Sequence, residues 1–218
     1  MSTSLIYRSS VGYELLMLAL YGRHYADRMR AVAGEVPDGA SVLELCCGPG
    51  TLYRRYLRGR VSGYVGIDVN PRFVEQLNRR GVVANRLDLA ANDDPLPEAD
   101  AVILQASLYH FLPAPERILD RMLVAARDRV IVSEPVRNLA SSDLPLISRI
   151  GRHAADPGVG GHAERFTEET LGDLMARYRE RVLKSFLIPG GRERVYVLAA
   201  SQGRHPRSAG RSGTAAGS

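Results

Sequence analysis

The sequence has no tryptophan, one lysine and two cysteines in 218 residues. The cysteines are neighbours, Cys46 and Cys47, and adjacent cysteines fit disulfide geometry poorly. A zinc site would need histidine or carboxylate ligands at suitable spacing, and nothing near the pair supplies them. They read as two free thiols in a reducing compartment, and no metal site is expected. Charge of one sign is also scarce. The formal net charge is +5, and three of those charges are Arg204, Arg207 and Arg211 in a tail without acids. The body is left near +2, too little to expect a nucleic-acid partner. The longest N-terminal apolar run is Leu15–Leu20. A membrane span needs about 20 apolar residues, and a signal peptide needs a basic start and a small-residue cleavage site. The expectation is a cytoplasmic chain with no membrane span.

Length and an apolar content of 45% allow one sizeable core. We read residues 1–200 as a single domain and residues 201–218, rich in Gly, Ser, Ala and Arg, as a disordered tail. Apolar residues Tyr13, Leu16, Met17 and Leu20 recur at helical spacing, predicting a helix from Val11 to about Val36. Strand-like runs then alternate with helical ones. SVLEL (Ser41–Leu45), YVGID (Tyr64–Asp68), VVANRL (Val82–Leu87), DAVILQA (Asp100–Ala106) and RVIVSEP (Arg129–Pro135) are the strands. Helices are expected over TLYRRYL, after the Asn70–Pro71 cap, from about Pro113, and after Thr167, whose first turn carries Glu168 and Glu169. Two β-rich runs, Arg181–Ile188 and Arg194–Ala200, close the body as an antiparallel pair. This order predicts an α/β fold of three layers: a Rossmann-like, seven-stranded, mostly parallel sheet with an antiparallel last strand, between helices.

Ligands of such sheets bind where the strand order reverses, at the carboxyl ends of strands. The stretch ELCCGPG, Glu44 to Gly50, follows the first strand. Its glycines suit a tight turn whose backbone N–H groups face a ligand. A dinucleotide loop would read G-x-G-x-x-G. Gly48 and Gly50 fit, but Tyr53 stands where close packing needs Gly or Ala.

From Ser41 to about Ala200 the chain resembles the class I S-adenosylmethionine-dependent methyltransferases. Their first motif, an acid followed by a glycine-rich turn, corresponds to Glu44-Leu45-Cys46-Cys47-Gly48-Pro49-Gly50, with Cys46 replacing the first glycine. The resemblance implies S-adenosylmethionine as cofactor. It implies that Glu44 orders the loop and the methionine end, with Cys46, Cys47, Gly48 and Gly50 forming the cradle. Asp68, followed by Val69, is implied to take the ribose hydroxyls. Asp88 would contact the adenine amine, with Leu87 and Leu89 around the ring, and Gln105 would line the methionine portion. The closing hairpin matches the family's antiparallel seventh strand.

Methyl transfer needs alignment of nucleophile and methyl group, and sometimes removal of a proton. His110 and Tyr109, in SLYHF after the fourth strand, are the catalytic candidates. His153 and His162 are weaker, and Glu134 could bind substrate or hydrogen-bond loop backbone. The Pro-Pro-aromatic signature of adenine and amide N-methyltransferases is absent, as is the Pro-Cys of cytosine C5 enzymes. Residues 1–40, as a helical lid, and 136–165, as an insert, are expected to face the acceptor. The reading is O- or C-methylation of a small, partly apolar metabolite, such as a secondary metabolite or quinone precursor, by a monomer or homodimer. The alternatives are a non-catalytic protein of the same fold that binds S-adenosylmethionine or a partner, and an NAD-dependent oxidoreductase.

Overall fold

The computed structural model describes residue 22 and residues 24–136 and 165–201. The expected N-terminal half of the lid helix, His153, His162 and the tail lie outside these residues, as does all but the two ends of the 136–165 insert.

Seven strands form one sheet: β1 Ser41–Leu45, β2 Gly63–Asp68, β3 Ala84–Arg86, β4 Ala99–Gln105, β5 Ala126–Pro135, β6 Val182–Leu187 and β7 Glu193–Ala199. Their order across the sheet is β3-β2-β1-β4-β5-β7-β6. The pairs from β3 to β5 are parallel, and β7 is antiparallel to both its neighbours. The chain runs outward through β2 and β3, then returns beside β1 as β4. The order therefore reverses between β1 and β4, which places a crevice at their carboxyl ends.

Helices α1 (His24–Gly34), α2 (51–57), α3 (Pro71–Asn78), α4 (Glu116–Ala125) and α5 (Glu168–Ala176) cover the sheet. The central strands are apolar on both faces, as a two-sided sheet requires. In β4, Val102 and Leu104 join the core that contains α4 and α5, while Ala101 and Ile103 join the core that contains α1 and α2. Caps set the helix starts. The Asn70 side chain accepts from Arg72 N–H, with Pro71 in the first turn. Thr167 and Thr170 cap α5 reciprocally, with threonine in the place usually held by Glu or Gln.

Three elements differ from the sequence-based expectation. β3 is three residues long, because Asn78 turns its amide onto Ala84, donating to its carbonyl and accepting its N–H at 2.9 Å each. α4 begins at Glu116, beyond a short turn at Leu108–Phe111. Pro113 and Pro115 hold the residues before them out of helical conformation, and Leu112 is extended. α2 widens in its last turn, where Arg58 N–H reaches Tyr53 O at 2.8 Å. Among the described residues no helix is long and apolar enough to cross a membrane.

One buried ion pair fastens α1 to the sheet. Arg28 Nε donates to Glu193 Oε2 at 2.8 Å and Nη2 to Oε1 at 3.2 Å, with both side chains at most 5% exposed. Ser133 Oγ donates to the same carboxylate at 2.5 Å. Removing one partner of such a pair leaves the other charged and desolvated. Glu193→Leu is expected to cost about 3–5 kcal/mol, read as a lowered urea midpoint with an unchanged slope.

Candidate active site

The loop after β1 closes on itself. Cys47 N–H donates to Ile67 O, Gly50 N–H to Cys47 O, and Gly48 N–H to Asp68 Oδ2 at 2.7 Å. The sequence reading expects these N–H groups to face a ligand; instead the protein uses them. The loop is no phosphate nest, because a carboxylate already occupies Gly48 N–H. Gly50, at φ +67°, is glycine for packing: a Cβ there would lie 2.6 Å from Leu77 of α3. Gly48, at φ +54°, has open space where its Cβ would be.

Asp68 ends β2. Its second oxygen accepts Asn70 N–H at 2.8 Å. Burial raises its pKa, opposed by those two N–H donors. Val69 beside it is 36% exposed. Glu44, 5% exposed, accepts the Tyr64 hydroxyl at 2.7 Å. Burial pushes its carboxyl up to about 8, against the Tyr64 hydrogen bond. Tyr64 stacks on Tyr53 of α2 with ring centroids 4.1 Å apart, so the position that breaks the dinucleotide pattern supports Glu44's partner.

Cys46 is left-handed, at φ 53°, which explains why the family motif has glycine there. Burial is the main reason both thiols are held protonated, with Asp68 adding to it. Both are free thiols, Cys47 buried and Cys46 partly so, filling space beside the loop. Cys47 lies over β2, where a Cβ on Gly66 would meet its Sγ at 2.7 Å. The Cys46 thiol shares a hydrogen bond with Ser107 and feels the charges of Asp68, Glu134 and Asp88. Asp88 accepts Ala90 and Ala91 N–H at 3.1 and 3.3 Å, between half-buried Leu87 and buried Leu89. At the end of β4, Gln105 Nε2 is buried without a hydrogen-bond partner among the described residues. Glu44, Cys46, Cys47, Gly48, Asp68, Asp88 and Gln105 thus lie around the switch point, and Gly50 packs closely against Leu77 of α3.

Tyr109 and His110 sit on the turn after β4, with ring centroids 3.9 Å apart. Tyr109 is buried, and its pKa is raised by that burial. The Arg165 guanidinium lies 3.3 Å above its ring, a cation–π contact. Leu108 N–H donates to Glu134 Oε2 at 2.9 Å, so Glu134 holds loop backbone. Sequence reasoning missed Ser107 and Arg165. Ser107 has no motif, and Arg165 reaches Tyr109 across 56 residues of chain.

A family model described as a methyltransferase domain matches residues 17–179. No curated protein matches by sequence. Among solved structures, a possible histamine N-methyltransferase from Thermotoga maritima is 18% identical, with TM-score 0.62, covering 89% of this chain and 97% of its own. Magnesium protoporphyrin IX methyltransferase from Synechocystis PCC 6803, with bound S-adenosylhomocysteine, is 17% identical, with TM-score 0.58 and the same two coverages. An N-methyltransferase from Bradyrhizobium japonicum WM9, also with S-adenosylhomocysteine, is 13% identical, with TM-score 0.57, covering 87% of this chain and 98% of its own. At these identities the likeness is one of fold.

Two outcomes check this geometry. Cys46→Gly relieves a left-handed side chain and is expected to stabilise the protein by about 1 kcal/mol, whereas Cys46→Val, β-branched, destabilises it; urea melts of both read the sign. Glu44 has a folded pKa above its unfolded one. The native state therefore holds the extra proton between about pH 4.5 and 8, and stability is lost as pH rises through that window. Glu44→Gln removes this loss, so its melting temperature relative to wild type should climb from pH 5 to pH 8.5.

Proposed function

The chain belongs to the methyltransferase-domain family, and we propose that it moves the methyl group of S-adenosylmethionine onto oxygen or carbon of a small, partly apolar metabolite. Family membership sets aside the oxidoreductase alternative. The observation that carries the cofactor reading is the chemistry of the cradle. Asp68 and Asp88 flank it, Glu44 and Glu134 stand behind it as carboxyls whose pKa burial raises to about 8, and Asp68 fills the N–H site that a pyrophosphate would need. Such a site suits a cation with hydroxyls and repels phosphate. The residues fit the cofactor in two further ways: Gly48 leaves space beside the loop, and the buried Gln105 amide has a donor without a hydrogen-bond partner among the described residues.

S-adenosylmethionine, when bound, supplies an electrophilic methyl on a positively charged sulfur. The chain's own part is to bind, orient and exclude water. Asp68 keeps a lone pair on each oxygen after accepting Gly48 and Asn70, enough for two ribose hydroxyls. Asp88 offers an acceptor beside Leu87 and Leu89 for the adenine amine. Glu44 orders the loop from beneath. Tyr109, Phe111 and Phe166 belong to or pack against the hydrophobic core around the turn after β4, and this apolar setting supports a partly apolar acceptor. His110, stacked on Tyr109, would accept a proton from an acceptor that must lose one.

The test is labelled methyl transfer from S-adenosylmethionine to a panel of small phenols, enols and quinone precursors. Turnover on at least one such acceptor is expected. His110→Asn should lower kcat roughly a hundredfold and flatten the acid limb of its pH profile, with KM for S-adenosylmethionine unchanged. Labelling confined to protein or RNA would overturn the acceptor reading.

A further inference from the structure

We infer that Glu134 is the residue by which this site distinguishes its positively charged methyl donor from the neutral product; the inference rests on the S-adenosylmethionine reading above. Glu134 ends β5 and is 1% exposed. It lies on the face of the sheet opposite Glu193, whose carboxylate takes the neighbouring Ser133 hydroxyl. The charged and titratable groups that reach it come from every side: Cys46 from the cradle, Tyr109 from the turn after β4, Glu193 from β7, Arg28 from α1 and Arg165 ahead of α5.

No described cation makes an ion pair with it. Arg28 is committed to Glu193, and the Arg165 guanidinium lies over the Tyr109 ring. A carboxyl this deep without a contact partner is costly to keep ionised, and burial raises its pKa to about 8. Its one hydrogen bond, from Leu108 N–H at 2.9 Å, does not require that cost, since a neutral amide oxygen accepts a backbone N–H equally well. What the carboxyl adds, once ionised above about pH 8 or by the approach of a cation, is negative charge between the cradle and the turn that carries Tyr109 and His110.

Donor and product offer the same adenosine, ribose and amino-acid groups for Asp68, Asp88 and Gln105 to hold. They differ by one methyl group and by the positive charge on sulfur. Only a group whose contribution depends on that charge separates them. A carboxylate in a dry site does so by direct Coulomb attraction, strengthened by the low dielectric. Donor binding is thereby favoured, and the product, having lost its charge, loses that attraction and leaves.

The experiment is calorimetric titration of the full chain with S-adenosylmethionine and, separately, with S-adenosylhomocysteine, at one pH near 9, above the point at which burial lets Glu134 ionise. It compares wild type with Glu134→Gln and Glu134→Asp. Glutamine keeps the volume and the acceptor for Leu108 N–H; aspartate keeps the charge and gives up reach. The glutamine variant should lose roughly tenfold in affinity for the donor while its affinity for the product stays within about twofold. The aspartate variant should keep most of the donor preference. Equal loss for both ligands in the glutamine variant, no loss for either, or loss of the preference in both variants would overturn the inference. Failure of the wild type to bind either ligand would instead reject the cofactor reading, a distinguishable result.

Discussion

Asp68 ties the site together. One carboxylate, at the end of β2, accepts N–H groups from two segments: Gly48 of the loop after β1 and Asn70 at the start of α3. Hydrogen bonds to a charged acceptor are worth about 1.5–3 kcal/mol each, enough to hold a carboxylate that is only 8% exposed. The loop's shape, the entry angle of α3 and the position of the remaining lone pairs all follow from this clamp. Gly50 and Leu77 then meet because α3 is brought against the loop, which leaves no room for a side chain at that glycine.

The same clamp fixes the sign of the crevice. With Gly48 N–H occupied, the loop offers no positive edge to an anion, and the neighbouring acids are left to set the field. The body's many arginines do not offset this. Arg60, Arg79, Arg117 and Arg127 pair with carboxylates on the surface, where such contacts contribute little. Interior arginine charge goes to Arg28, on the far face of the sheet, where it anchors α1, and to Arg165, which lies over the Tyr109 ring. The carboxyls of the crevice are thus set against a single neighbouring guanidinium among the described residues, and net charge alone would mislead about its ligand.

Much of this architecture is legible in the residues. Runs such as AVIL and RVIV mark central strands because apolar β-branched residues on both faces suit a covered parallel sheet. Asn70–Pro71 and Thr167 mark helix starts through local chemistry. The acids Glu44, Asp68 and Asp88 stand out because each follows or ends a strand. Long-range pairing is where the reading stops. Arg28 and Glu193 are 165 residues apart, and Glu134 and Leu108 are separated by a whole helix and strand. Nothing local says that Gly48 N–H is spoken for. The short β3 and late α4 were hidden for a different reason: propensity favours both longer, but an asparagine side chain and two prolines override it.

Cys47 and Gly66 show a last consequence of the fold. The thiol of one fills the volume that a side chain on the other would need, with Tyr64 Oη only 3.1 Å from the same point. The two positions are therefore not free to drift separately. A side chain at Gly66 would require the Cys47 thiol to swing aside or be removed and the Tyr64 hydroxyl to give way, so the two positions share one volume and a change at either is felt at the other.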